Sequence, residues 1–310
     1  MIRYLENKLI DRKKWDDCIS RSFNGMIYGY TWFLDVVCEN WDGLVEDDYL
    51  RVFPVCHRKK FGVSIVYQPF FTQQLGLFSQ GELNPAVVND FLTAIPSRFR
   101  LVDINLNIHN KPDHPGFGYD VQVNHELDLI GDYEDIRRNY SSNTRRNLAK
   151  AEKAGLSVIK GVKPDDIISL FRENRGAGIR VLRDAHYMKL KRLVYTCIYK
   201  GLADVYGVYD DHNELCAGAV FLESHKKSIF IFSGLSDKGR DNRAMFLLID
   251  HFIREHAGKH LTLDFDGSNN EALARFYKGF GSERIVFLRI SRNTLPLLTN
   301  MALKIYRNIR

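Results

Sequence analysis

Three groups of residues between positions 233 and 281 have types that move protons and hold anions. The first is the run SGLSDKGRDNRA, residues 233–244, between an apolar stretch and an apolar helical pattern. A helix that starts after a strand and a short polar loop turns its free N–H groups toward that loop, where an anion is stabilised. Lys238, Arg240 and Arg243 add positive charge, and Gly239, Asn242 and Ala244 are small or polar enough to bring backbone close to a ligand. Together they suit a pyrophosphate; the same run also reads as a basic turn on a solvated surface. A carbonyl placed beside Ser233, Gly234 and Leu235 could be polarised by an exposed backbone N–H. The second group is acidic. Asp264 and Asp266 end the next strand pattern, and Asp266 has the address of a base that could take a proton from an amine. It reads equally as a turn residue before Gly267, and Glu223 and His225 are alternative bases. The third group is a helix pattern opened by Asn270, a good N-cap, and ended by Gly279 and Gly281. Leu273, Phe276 and Phe280 share one face. Tyr277 is one position off it, so its phenol could face a cleft and give up a proton, or it could be a half-buried structural Tyr.

Two further segments could bind phosphate or an acceptor. In the helix pattern 141–154, Arg146, Lys150 and Lys153 form one stripe and Arg145 lies beside it. Leu148 is the only large apolar residue there, so core burial cannot be its main support. A basic stripe facing phosphate is one reason for such a helix, and a solvated face with Glu152 as counter-charge is the other. Tyr67, Gln73 and Gln74 lie in YQPFFTQQ, where the amides could hydrogen-bond an acceptor; core and loop packing is the plainer reading. The cluster Tyr28, Tyr30, Trp32 and Phe33 reads as core. The ten His residues show no HxH or HExxH spacing, and no GxSxG or Walker A pattern occurs, so no metal is expected.

These groups need elements to hold them. In the first half, residues 11–20, 31–39 and 84–95 read as helices, and 99–108 alternates as a strand. Residues 49–57 and 62–69 read as a hairpin joined by a turn at 58–61. In the second half, residues 122–129, 156–161, 203–209, 216–223, 228–234, 260–265 and 284–290 read as strands. Helices are expected over 141–154 (closed by Gly155), 164–174, 185–200, 242–256 and 270–278, with a basic helix over 293–310. The polar run 237–241 is expected as loop.

The chain has 310 residues, 45% hydrophobic, 12% aromatic and 26% charged. Such a composition excludes a disordered, collagenous or coiled-coil chain, and the length suits roughly two domains. Charge is uneven: residues 1–125 hold 13 Lys+Arg against 15 Asp+Glu, and 126–310 hold 31 against 23, a change from −2 to +8. Any anionic ligand is therefore expected on the second part. The five cysteines have no CxxC spacing, which fits a reducing compartment. No signal-peptide pattern or bilayer-spanning stretch is visible, so a soluble cytoplasmic protein is expected, with peripheral membrane contact open.

The order strand–loop–helix–strand–helix–strand over 228–290, ending in N-x6-Y-x3-G, resembles the acyl-CoA-binding core of GNAT-fold N-acyltransferases. That resemblance matches Asn270, Tyr277 and Gly281, and implies a Tyr that protonates a leaving thiolate. The family's [QR]-x-x-G-x-[GA] loop is matched only at Ala244. A narrower resemblance covers most of residues 15–290. SSNTRRNLAKAEKAGLSV (141–158), NGMIYGYTWFLDVV and YQPFFTQQLGLF are similar to segments of the Fem-type peptidyltransferases, which join two GNAT-like halves. Those proteins add amino acids from charged tRNA to lipid-linked peptidoglycan precursors. Where they usually read F-K-x-x-F-G, this chain has Tyr277 at the Lys position and Lys278 one step on.

The fold class implied is α+β (α/β): two tandem GNAT-like domains, each a mixed, mostly antiparallel sheet flanked by helices. Residues 1–125 form a degenerate acceptor-side domain, and 126–310 bind the donor and catalyse. The activity implied is N-acyl transfer from an acyl-thioester donor, with acyl-CoA as co-substrate, to an amine of a cell-wall or surface-polysaccharide precursor. The alternatives are an aminoacyl-tRNA-dependent Fem-type transferase, with tRNA as a partner, and a non-catalytic binding module. DNA binding is not expected.

Overall fold

In the computed structural model, residues 1–179, 181–267 and 269–296 are described, and their contacts divide the chain into two units. One holds residues 1–122 and the described residues 287–296; the other holds Val123–Val286.

The first unit contains β1 (Ile2–Leu5), α1 (Arg12–Arg21), α2 (Thr31–Val37), β2 (Asn40–Glu46), β3 (Arg51–Lys60), β4 (Val63–Tyr67), β5 (Phe78–Ser79), α3 (Pro85–Thr93) and β6 (Phe99–Asn105). Its strands run in the order β1-β2-β3-β4-β6, with β5 on β3. All pairs are antiparallel except β4 with β6. The helices start where side chains can satisfy free N–H groups. Asp11 accepts from Lys14 N, and Asn84 accepts from Val87 N ahead of Pro85. Phe53, Val66, Phe91, Phe99, Val102 and Ile104 fill the core beneath the sheet. The expected turn at 58–61 is tighter. β3 continues to Lys60, and the hairpin closes on Phe61 and Gly62, whose φ values of 50° and 79° give the twist a two-residue turn needs.

The chain enters the second unit along β7 (Gly118–Asp128). There follow α4 (Tyr133–Arg138), which the sequence did not suggest, α5 (Ser142–Glu152), β8 (Ser157–Lys160), α6 (Pro164–Glu173), α7 (Asp184–Tyr199), β9 (Ala203–Tyr209), β10 (Leu215–Ser224) and β11 (Lys227–Leu235). The unit continues with α8 (Asp237–Asp241), α9 (Ala244–His256), β12 (Thr262–Asp264) and α10 (Glu271–Lys278). Its strand order is β7-β12-β11-β10-β9-β8, and only β11 with β12 is parallel. Helix α9 packs Leu248, Ile249, Phe252 and Ile253 into the core, where Phe252 stacks on Phe221 of β10 at 3.9 Å between ring centres. Each such side chain contributes about 1.5–3 kcal/mol by leaving water.

The final strand, β13 (Glu283–Asn293), begins in the second unit and returns to the first, where Arg289–Asn293 pair antiparallel with β6. The division thus assigns the described residues 287–296 to the first unit, whereas the sequence placed everything after 125 in the second. The backbone bonds of residues 289–293 go to β6, and hydrogen-bonded strands stay together. The basic segment expected as a helix over 293–310 lies outside the described residues beyond 296. Each unit is a mixed sheet flanked by helices. No helix among the described residues is long and apolar enough to cross a membrane.

Candidate functional site in the second unit

The site begins with a break in the sheet. β12 is three residues long, so β11 has a partner on that side only over Lys227–Ile229. On its other side, β11 carries a bulge. Phe221 pairs with Phe230 and Val220 with Phe232, which leaves Ile231 as the extra residue. A bulge reverses the inward and outward alternation beyond it. Phe230 accordingly lies on the α9–α10 face against Phe221 and Phe265, whereas Phe232 packs on Phe171 of α6, 4.8 Å between ring centres. Gly234 sits under α6 so closely that a Cβ there would come 2.7 Å from the Ile167 carbonyl oxygen. The edge of β11 from Phe230 to Leu235 therefore faces an opening where β12 has ended, with Ser233 and Leu235 half-buried along it.

Tyr277 lies at the start of this opening. Its ring stacks on Phe265 at 4.6 Å and meets Phe230 edge-on at 6.4 Å, the first residues beyond the last β11–β12 pair. It is the buried residue of α10, 7% exposed, while Leu273 and Phe276 are half-buried. The expected arrangement, with Tyr277 off the packed face, is thus corrected: Phe265 and Phe230 draw it inward. Its hydroxyl makes no hydrogen bond to a described residue and is not among the polar atoms sealed from solvent. Burial pushes the phenol well above its usual range, the Asp266 carboxylate adds to this, and Arg175 opposes it. Tyr277 is therefore a protonated phenol at neutral pH. Arg175, in the helical turn Arg175–Gly178 after α6, was not anticipated; no sequence spacing ties it to residue 277.

The turn that carries Asp266 is braced from beneath. Asp264 is 1% exposed; its Oδ1 accepts from Asn124 Nδ2 at 2.9 Å and from Asp266 N at 2.8 Å. Gly267 N donates to Asn124 Oδ1 at 2.7 Å, and Asp266 sits at φ 52°. Burial pushes the Asp264 carboxyl up, and Lys227, 3.8 Å away and also bonded to Glu126, opposes that. Asp264 holds the turn, and Asp266 stands beside the phenol. Asn270 caps α10 as expected, accepting from Ala272 N and Leu273 N. Glu223 and His225 lie where β10 turns into β11, at the opposite end of that strand from the opening. Six residues of strand put His225 about 20 Å from Ile231, and Glu223, paired with Ser228, lies exposed about 10 Å along the strand from Ile231.

The basic run has a different shape from the expected loop. Residues 237–241 form α8, because Ser236 caps it by accepting from Gly239 N at 2.9 Å. Gly239 lies on β10, where an added Cβ would stand 2.1 Å from the Cys216 carbonyl oxygen. Lys238 bonds to Asp210 and, at 3.1 Å, to Glu214; the first contact holds the Asp210 carboxyl down at about 2. Arg240 pairs with Asp237 at 2.7 Å. Asn242 ends α8, Arg243 enters α9 at φ 63° and donates to the Arg240 carbonyl, and Ala244 is fully buried. Lys238 and Arg240 are thus paired inside the unit, whereas Arg243 makes no ion pair among the described residues and its Nε is buried without a hydrogen-bond partner there.

Helix α5 divides its cations. Arg145 donates to the carbonyls of Tyr140 and Arg138, whereas Arg146 and Lys150 are exposed and make no ion pair among the described residues. Ser141 N donates to the Gly279 carbonyl, so α5 docks on the end of α10. Any Cβ at Gly279 would come 2.4 Å from Thr144 Oγ1. Tyr67, Gln73 and Gln74 belong to the first unit. Tyr67 accepts from Glu39 N at 3.1 Å; Gln74, 1% exposed, accepts from Ile108 N and donates to Gln73 Oε1. The Gln74 amide serves internal bonds, as buried polar groups must, and is not offered to an acceptor.

Solved structures share the fold of the whole chain. The crystal structure of FemX aligns over 97% of this chain and 99% of its own, with a TM-score of 0.66 at 13% identity. The chain has a GNAT-like, Fem-like fold. A Bacteroides thetaiotaomicron protein of unknown function aligns over 94% of this chain and 99% of its own (TM-score 0.56, 10% identity). The C-terminal domain of an Agrobacterium fabrum protein assigned as a lysylphosphatidylglycerol synthetase aligns over 95% of each (TM-score 0.53, 12% identity). No family model and no curated protein matches the sequence. Within this Fem-like fold, β11, β12 and α10 are the elements that the sequence resemblance assigned to the donor.

Proposed function

We propose that this protein is a transferase that moves an acyl group from an activated donor to an amine. The observation that carries the proposal is the edge of β11 beyond the Ile231 bulge, which has no strand partner on the β12 side among the described residues, beside a protonated phenol with no hydrogen-bond partner among them. In the step envisaged, the amine nitrogen attacks the donor carbonyl carbon, and a β11 backbone N–H stabilises the oxyanion. The bond to the leaving oxygen or sulfur breaks, and that atom takes the Tyr277 proton. The proton lost by the amine passes to Asp266 or to water.

An aminoacyl ester of tRNA is the favoured donor. Lys238 and Arg240 are already paired and Gly239 is pressed on β10, so Arg243 alone in the run 237–243 has a cation left for a coenzyme A pyrophosphate. The name of one structural neighbour, a lysylphosphatidylglycerol synthetase, agrees with aminoacyl transfer. One observation favours the acyl-thioester reading: a Tyr rather than a Lys at position 277, suited to protonating a thiolate. The acceptor proposed is an amino sugar or peptide amine of an envelope precursor, reached from the cytoplasm.

The test presents the purified chain with labelled aminoacyl-tRNA or labelled acetyl-CoA, and with amino-sugar or peptide amines. Transfer from tRNA that weakens steeply with salt supports the favoured donor. Transfer from acetyl-CoA alone supports the thioester reading. Label transfer from neither, with a folded chain, sinks the proposal and leaves the binding module.

A further inference from the structure

Helix α10 has a second charged face. Tyr277 points into the core, while Glu271, Arg275 and Lys278 lie three or four residues apart on the exposed side. Beside them is a pocket of about 380 Å³, lined also by His125 of β7 and by Ser282 and Arg284. The side chains of Arg275, Lys278 and Arg284 make no ion pair or hydrogen bond to a described residue, unlike Lys227, Lys238 and Arg240. Three cations against the single carboxylate of Glu271 leave the pocket positive. Like charges lining one pocket repel, and an anion between them relieves that cost.

Apart from Glu271, the rest of the lining is uncharged: Val123, Ala274, Asn269, Ser282 and His125. His125 is 3% exposed, and its Nδ1 lies 3.3 Å from Ser282 Oγ. Burial holds the imidazole below its usual range, and Arg284 and Lys278 hold it lower still, so it brings a neutral ring to the wall. The volume lies within the range of small-ligand sites and leaves room for more than one phosphate.

We propose that this pocket binds a phosphate-bearing group of diphosphate size, held by Arg275, Lys278 and Arg284. The inference goes beyond the transfer reading, and its test contains no transfer step. The diphosphate could be free, or part of a nucleotide-linked or isoprenyl-linked molecule. Calorimetric titrations with inorganic pyrophosphate, UDP and geranyl diphosphate at low salt separate these sources. Saturable binding of pyrophosphate is expected, with tighter binding of whichever organic form is the natural source. The K278Q/R284Q double variant should weaken binding by about tenfold or more, and a charge-matched K13Q/R21Q variant in the first unit should leave it unchanged. The replaced side chains are exposed, so thermal melts without ligand should coincide. Three results overturn the assignment: no binding in any titration, equal loss in both double variants, or binding of the organic forms without pyrophosphate.

Discussion

Replacing Tyr277 with Phe tests the site most directly, because the structure separates what the ring does from what the hydroxyl does. The ring packs on Phe265, Phe230 and Phe276, and Phe keeps all of those contacts. The hydroxyl has no hydrogen-bond partner among the described residues, so its removal breaks no bond and leaves no orphaned group. Stability should therefore change by less than about 1 kcal/mol. Catalysis is a different matter. A positioned acid contributes roughly 10²- to 10⁴-fold. Here burial makes the phenol a reluctant donor, which places the expected loss at the lower end, about 10²-fold, or about 2.7 kcal/mol of barrier. The assay is single-turnover transfer of a labelled aminoacyl group, run beside a thermal melt of the same preparations. A variant with wild-type turnover refutes the proton-donor role. A variant that melts many degrees lower refutes the claim that the hydroxyl is idle in the fold.

Gly239→Ala would drive a methyl into the Cys216 carbonyl, forcing α8 away from β10; a loss of about 3 kcal/mol in denaturant melts is expected. Asp210 is held below its unfolded value by Lys238, so the stability it adds is complete above about pH 4 and fades as pH falls toward 2. Acid melts of Lys238→Met should show a shallower decline across that window. Asp266→Asn should lower turnover without loss of fold if Asp266 takes the amine proton, and an unchanged pH–rate profile would count against that role. Gln74→Leu should destabilise the first unit by about 1–3 kcal/mol by leaving Ile108 N without its acceptor, read in thermal melts.

Much of the architecture was legible because its causes are local. Caps at Ser141 and Asn270 mark helix starts by side-chain bonds to N–H groups within three residues, and Gly155 ends the α5 pattern at φ 66°. The order of strands and helices over 203–290 follows from periodicity, and it led to a fold that FemX shares at 13% identity. What tertiary structure decided depends on partners distant in sequence. The Ile231 bulge exists only because β10 pairs out of step, and it sends Phe230 and Phe232 to opposite faces. Lys238 reads as a free cation until Asp210, 28 residues away, is seen to hold it. Gln74 reads as a binding residue until Ile108 N claims its oxygen. Residue type and spacing set which chemistry the chain carries; long-range pairing decides which of those groups are already spent on the fold and which remain for a ligand.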